Sequence, residues 1–255
     1  MRAAYSVSST VAMATVVKRL EQGPPALLFL PPDAARDLPL VLLGHGAHLS
    51  KDDATMQLLA KTFCRGIPAA VAMMDAPGHG ERRLSGSSDA AFEEDVARRM
   101  ADPANREQEL ADWLAVEEAA RSADAHIAGK TGYAGFSMGA MFGLAVVADL
   151  PSVVAAVFAL GGLTSDPARN RLIAEGARRL GDREVLMLNM TRDEHFAMEG
   201  ALEVFESIPG PKRMGVWSGT HVDIPPEAIE LALGFLQRTL GNDAESANRR
   251  ISERD

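Results

Sequence analysis

Five consecutive residues, Gly135-Phe136-Ser137-Met138-Gly139, constrain this chain more than any others. The apolar run Tyr133 to Phe136 leads into them, and small and apolar residues from Ala140 to Ala148 lead out. The pattern reads as a strand, a very tight turn and a buried helix. Side chains would collide across so sharp a bend, and glycine two before and two after the serine removes the collision. Ser137 is then held at a strained backbone angle with its hydroxyl lifted above the sheet. The helix that starts after it points its positive end at Ser137, which makes the Met138 N–H a first donor for an oxyanion formed there. The pentapeptide alone also reads as a Gly-rich strand-to-helix turn with an incidental serine.

The rest of the chain decides between those readings. Short apolar runs at Leu38 to Leu43, Ala69 to Met74 and Val153 to Leu160 read as buried strands, and Glu184 to Asn189 reads as a strand. Residues 10–19, 25–30 and 213–217 read as further strands. Helical patterns cover residues 51–65, 105–127, 166–180, 196–208 and 225–240. Ser50-Lys51-Asp52-Asp53 reads as a capping box for the first of these. In the helix 105–127, Leu110, Trp113, Leu114 and Ile127 are the expected inward positions. This alternation of strand and helix predicts an α/β fold with a mostly parallel sheet covered on both faces. Residues 1–241 are expected to form one domain, followed by a polar tail over 242–255. With 255 residues, 47% hydrophobic and 24% charged, the chain can build one large core.

Ligands of such sheets bind beyond the carboxyl ends of the strands. His45-Gly46, Asp75, Ser137, Asp193 and His221 all fall there in this reading. A serine hydroxyl needs a base, and the base needs an orienting carboxylate. His221, in the loop after the last strand, is the candidate base. Asp193, in Thr191-Arg192-Asp193-Glu194-His195, is the candidate acid, with Glu194 the close alternative and Asp223 a competitor that also reads as a cap or loop residue. His195 either lines the site or lies on the surface. The second oxyanion donor is expected in His45-Gly46-Ala47, at the N–H of Ala47, with Gly46 and His48 as alternatives. His45 itself reads as a structural hydrogen-bonder.

Taken together, Gly44-His45-Gly46, Asp75-Ala76-Pro77-Gly78-His79-Gly80, Gly135-Phe136-Ser137-Met138-Gly139 and Gly219-Thr220-His221 resemble the α/β-hydrolase family, over Leu38 to Leu240. His45-Gly46 followed by Ser50-Lys51-Asp52, and Gly78-His79-Gly80-Glu81-Arg82, are similar to its dienelactone-hydrolase-like and prolyl-oligopeptidase-like esterase branch. Dienelactone hydrolases proper carry cysteine at the turn, where this chain has Ser137. The resemblance therefore implies an ordinary serine esterase, with Gly135 and Gly139 framing a nucleophile elbow, and a small-molecule ester as substrate. Thioesterase, amidase or peptidase, and acyltransferase chemistry, or ligand binding without catalysis, are the alternatives. There is room for only one helix between Leu160 and Glu184, so no large cap domain is expected. Residues 81–104 read either as a small lid, with Phe92, Val96 and Met100 as its apolar face, or as an exposed loop with an ordinary packing helix.

Several classes fall away. A net charge of −9 argues against a nucleic-acid surface. No apolar run reaches membrane-spanning length, and the patch at Val11 to Val17 lacks a clear cleavage site. With Cys64 the single cysteine, no intramolecular disulfide is possible, and a cytoplasmic location is the expectation. Cys64 reads as a packing residue. The six histidines and Asp52-Asp53 show no metal-ligand spacing, and no cofactor is implied.

Overall fold

The computed structural model describes residues 15–32, 37–84 and 88–241. Among the described residues, eight strands form one sheet: β1 (Val16–Leu20), β2 (Ala26–Leu30), β3 (Leu40–Gly44), β4 (Ala70–Met74), β5 (Thr131–Phe136), β6 (Val153–Ala159), β7 (Glu184–Met190) and β8 (Lys212–Trp217). Their spatial order is β1-β2-β4-β3-β5-β6-β7-β8. β2 pairs antiparallel with both β1 and β4, and every later pairing is parallel. Seven α-helices of the described residues connect and cover them: α1 (Ala54–Gly66), α2 (Asp89–Ala101), α3 (Pro103–Ala123), α4 (Met138–Val146), α5 (Pro167–Arg178), α6 (Met198–Ser207) and α7 (Pro226–Leu240).

The two-residue period of the strands sorts their side chains between two cores. Leu40, Leu42, Tyr133, Ala156 and Phe158 point to one face, where α2 to α6 supply Phe92, Trp113, Leu144, Ile173 and Val204. Val41, Leu43, Ala134, Val157 and Ala159 point to the other, where α1 and α7 supply Phe63, Cys64, Phe235 and Leu236. With both faces covered, the central strands are apolar throughout, which is why continuous apolar runs marked them in the sequence. After β3 the chain moves outward to β4 and then returns across β3 to β5. That reversal opens a crevice beyond the carboxyl ends of β3 and β5.

Some expectations fall outside the described residues, and others differ from the structure. Of the strand expected at 10–19, residues 10–14 lie outside the described residues, and β1 covers Val16–Leu20. The tail 242–255 also lies outside them. The helix expected from residue 51 begins at Ala54, because Asp53 caps it through Thr55 N–H at 2.9 Å. Ser50 and Lys51 instead form a turn whose backbone is drawn toward Asp75. Leu114 is exposed rather than inward, and Ile127 is buried beyond the end of α3. Trp113 is buried and Leu110 packs against the core as expected, but α3 also turns Asn105, Glu109, Asp112 and Glu117 inward, so apolar periodicity alone missed the polar part of its inner face. Within 81–104 a regular helix, α2, buries Phe92, Val96 and Met100 against the core shared with α3 and α5.

Candidate active site

The turn after β5 has the geometry its glycines imply. Ser137 sits at φ 54° and ψ −114°, in a region that side-chain-bearing residues rarely occupy. Its N–H donates to Ala159 O at 2.8 Å, which ties the turn to β6. A Cβ on Gly135 would lie 2.4 Å from Gly139 O, and one on Gly139 would lie 2.5 Å from Gly44 O. Only bare backbone lets α4 pass this closely over β3 and β5. Beneath the helix, the buried Tyr133 hydroxyl donates to Gly139 O at 2.7 Å.

Three loops bring the remaining candidates to Ser137. His221, four residues beyond β8, places Nε2 2.8 Å from Ser137 Oγ. Its Nδ1–H donates to Asp193 Oδ2 at 2.8 Å. The Asp193 side chain is fully buried, and its other oxygen accepts the N–H groups of His195 and Phe196 at 2.8 and 3.0 Å. Those two bonds fix the carboxylate before the imidazole meets it. Glu194 points elsewhere, with Oε2 accepting the backbone N–H of His221 at 3.0 Å. Asp223 accepts from Thr220 N–H and Oγ1–H, both at 2.8 Å, and so braces its own loop. His195 is exposed, yet its ring meets the His221 ring edge-on at 4.7 Å, and Phe196 packs on the same imidazole at 5.6 Å.

The loop after β3 lies beside the turn. A Cβ on Gly46 would come within 3.7 Å of both Ser137 Cβ and Phe136 O. Ala47 follows, partly buried against the core. Met138 begins α4, where the first N–H groups of a helix have no partner within it. His45 holds this loop in place: its Nδ1–H donates to Gly46 O at 2.8 Å, and Nε2 accepts from Ala76 N–H at 3.0 Å. That arrangement requires the neutral ring, and burial lowers the His45 pKa in the same sense.

Sequence reasoning missed a second buried assembly that anchors the same loop. Lys51 is fully buried, and its ammonium lies 2.5 Å from Asp52, 3.3 Å from Asp75 and 2.5 Å from Glu81. Asp75 is also buried, and accepts the N–H groups of Lys51 and Glu81, each at 2.9 Å. Gly80, at φ 51°, leaves room for that carboxylate, since a Cβ there would lie 2.3 Å from it. The three acidic oxygens come within 4.8 Å of one another, a spacing suited to a cation, and the Lys51 ammonium serves as that cation. Hydrogen bonds from Arg19 and Lys51 hold the Glu81 carboxyl down at about 2. The sequence signal was present in Lys51, after β3, and in Asp75 and Glu81, after β4, but helical capping explained Ser50 to Asp53 equally well.

No protein-family model matches the chain, and no curated protein matches it. Solved structures do. A cold-adapted esterase from an Arctic intertidal metagenomic library, in a PEG-bound complex, superposes with a TM-score of 0.72 at 24% identity, over 89% of this chain and 93% of that one. An esterase of Pyrococcus furiosus gives 0.67 at 16% identity, over 92% and 98%. An acylaminoacyl peptidase of Pyrococcus horikoshii gives 0.66 at 13% identity, over 91% of this chain and 44% of the longer one. Among the described residues, no helix is long and apolar enough to cross a membrane. With the strand order, the parallel central sheet and the strained serine after β5, these likenesses show that the chain has the α/β-hydrolase fold.

Proposed function

We propose that the protein is a serine hydrolase, acting as a carboxylesterase on small or medium acyl esters. One observation carries the reading: the hydrogen-bonded series Ser137 Oγ, His221 Nε2, His221 Nδ1, Asp193 Oδ2, with both links at 2.8 Å. In it, Ser137 attacks the ester carbonyl while His221 takes the hydroxyl proton at Nε2. Asp193 holds the imidazole in the tautomer that leaves Nε2 free to accept, and stabilises the imidazolium. The N–H groups of Met138 and Ala47 hold the oxyanion, and the first turn of α4 adds its dipole. His221 then protonates the leaving alcohol, and water attacks the acyl-enzyme by the same route in reverse. The esterases among the similar structures support the ester class, and the acylaminoacyl peptidase keeps amide hydrolysis as the second reading.

A fluorophosphonate probe, which reacts only with an activated serine, tests the mechanism. Wild type is expected to label and Ser137→Ala to remain unlabelled, with esterase kcat reduced on the order of 10⁴-fold or more. Equal labelling of both, or more than a tenth of wild-type turnover in Ser137→Ala, refutes the assignment. A panel of activated esters of rising chain length, run beside a thioester and an anilide, selects among the acyl-transfer chemistries.

A further inference from the structure

The catalytic reading assigns Asp193 to the His221 ring and leaves its neighbour without a role. Glu194 nevertheless reaches the same histidine from the other side, through the backbone. The loops after β7 and β8 are stitched together in sequence. Thr191 N–H donates to Trp217 O and Arg192 N–H to Gly219 O, each at 2.9 Å, extending the β7–β8 ladder. Asp223 then secures Thr220 from within its own loop. These bonds end one residue short of His221. The next contacts are Glu194 Oε2 with the His221 N–H and Asp193 Oδ2 with its ring.

We propose that Glu194 is a positioning residue for His221: consecutive carboxylates grip one histidine, Asp193 by its imidazole and Glu194 by its peptide N–H. This rests on the serine-hydrolase reading above. The pairing matters because both carboxylates belong to one short segment. That segment is itself anchored, since Asp193 Oδ1 accepts from His195 and Phe196 N–H. The peptide and the ring of His221 are thus referenced to the same rigid piece of chain. Rotation about χ1 and χ2 is then constrained at both ends, and Nε2 stays aimed at Ser137. Without Glu194 the ring keeps Asp193 and its packing on His195 and Phe196, but the His221 peptide loses its direct tie to the loop after β7 and is held only through Gly219 and Thr220. Misplacement of a reacting group by about 1 Å costs on the order of 100-fold in rate. Partial drift of a loop still restrained by Asp193 is expected to cost about tenfold. The His221 N–H is also the largest influence holding the Glu194 carboxyl below its ordinary range, followed by Glu194's own N–H and the charges of His195 and His221.

Glu194→Ala removes the acceptor, whereas Glu194→Gln keeps a carbonyl oxygen at the same reach and removes only the charge. Both variants, with wild type and Ser137→Ala, would be compared in fluorophosphonate labelling rate and in kcat and KM on one activated ester. Proton NMR of the low-field His221 Nδ1–H signal provides a readout independent of turnover, and thermal melting checks the fold. The expected result is a roughly tenfold fall in kcat for Glu194→Ala with KM within about twofold, and broadening of the low-field signal. Glu194→Gln should recover kcat to within about threefold of wild type and restore the signal. Wild-type kcat and signal in Glu194→Ala, or equal impairment of the two variants, would overturn the proposal. If wild type shows the low-field signal but no labelling, the serine-hydrolase reading fails, and the NMR comparison alone then supports or overturns the grip on His221.

Discussion

Glu109 offers the sharpest test of the energetics beneath the site. It lies on α3 and is buried, with Oε1 accepting from Trp113 Nε1–H at 3.0 Å and Oε2 finding no partner among the described residues. Burial, and then the nearby Asp112, push its carboxyl up from 4.5 to about 8, against the opposing pull of the Trp113 hydrogen bond and Arg82. The folded protein therefore keeps a proton on Glu109 between about pH 4.5 and 8, where the unfolded chain has lost it. Stability must fall as pH rises through that window and level off above it. Each pH unit is worth about 1.4 kcal/mol, so the ceiling is about 5 kcal/mol. Water entering an opened site relieves part of this, and a loss of about 2–3 kcal/mol is expected. Glu109→Gln keeps an acceptor for Trp113 and carries no charge at any pH. His79, lowered by burial and by His45 to about 4, acts in the opposite direction: its contribution rises with pH between about 4 and 6.5. It is present in both proteins and cancels in their difference. Urea denaturation of wild type and Glu109→Gln at pH 5.0, 6.5 and 8.5 provides the measurement. The variant should gain about 2–3 kcal/mol on wild type between the first and last pH. A constant difference across that range would refute the argument and mean that Glu109 ionises in the folded protein much as it does in water.

Three further outcomes follow from the same structure. Asp193→Asn should lose at least a hundredfold more kcat than Asp223→Asn, a gap of about 2.7 kcal/mol, because only Asp193 meets the His221 ring; steady-state kinetics on one activated ester at neutral pH checks it. Lys51→Met should destabilise the fold by about 3–5 kcal/mol in denaturant titration, since it strands the buried Asp75 carboxylate without its ammonium; a loss below about 1 kcal/mol would show that Asp75 is satisfied by its backbone donors alone. Cys64, buried on α1 with its thiol pushed up to about 12, should resist thiol reagents in the native protein, and Cys64→Ser should leave turnover nearly unchanged; rapid alkylation with loss of activity in folded protein would contradict this.

Local chemistry makes much of this protein legible in its sequence. Sterics within the turn itself require Gly135, whose Cβ would meet Gly139 O, so the turn could be read from its letters, whereas Gly139 is required by the pass over Gly44. The central strands are buried on both faces and appear as unbroken apolar runs, so their alternation with helices was readable too. The candidates His45, Asp75, Ser137, Asp193 and His221 all follow strand ends, because a parallel sheet places every carboxyl end on one edge. What adjacent letters could not decide was the direction in which each side chain points. Asp193 and Glu194 are neighbouring acids, and only the path of the loop after β8 gives one the imidazole and the other the peptide N–H. Lys51 looked like part of a helix cap until the fold placed Asp75 and Glu81 around it. The inward turn of Asn105, Glu109 and Asp112 on α3, and the exposure of Leu114, break the apolar period from which a helix face is inferred. Those outcomes depend on partners tens of residues away in sequence. Gly135 answers to the turn's own backbone, but a buried charge is tolerable only where tertiary packing has already assembled its partners.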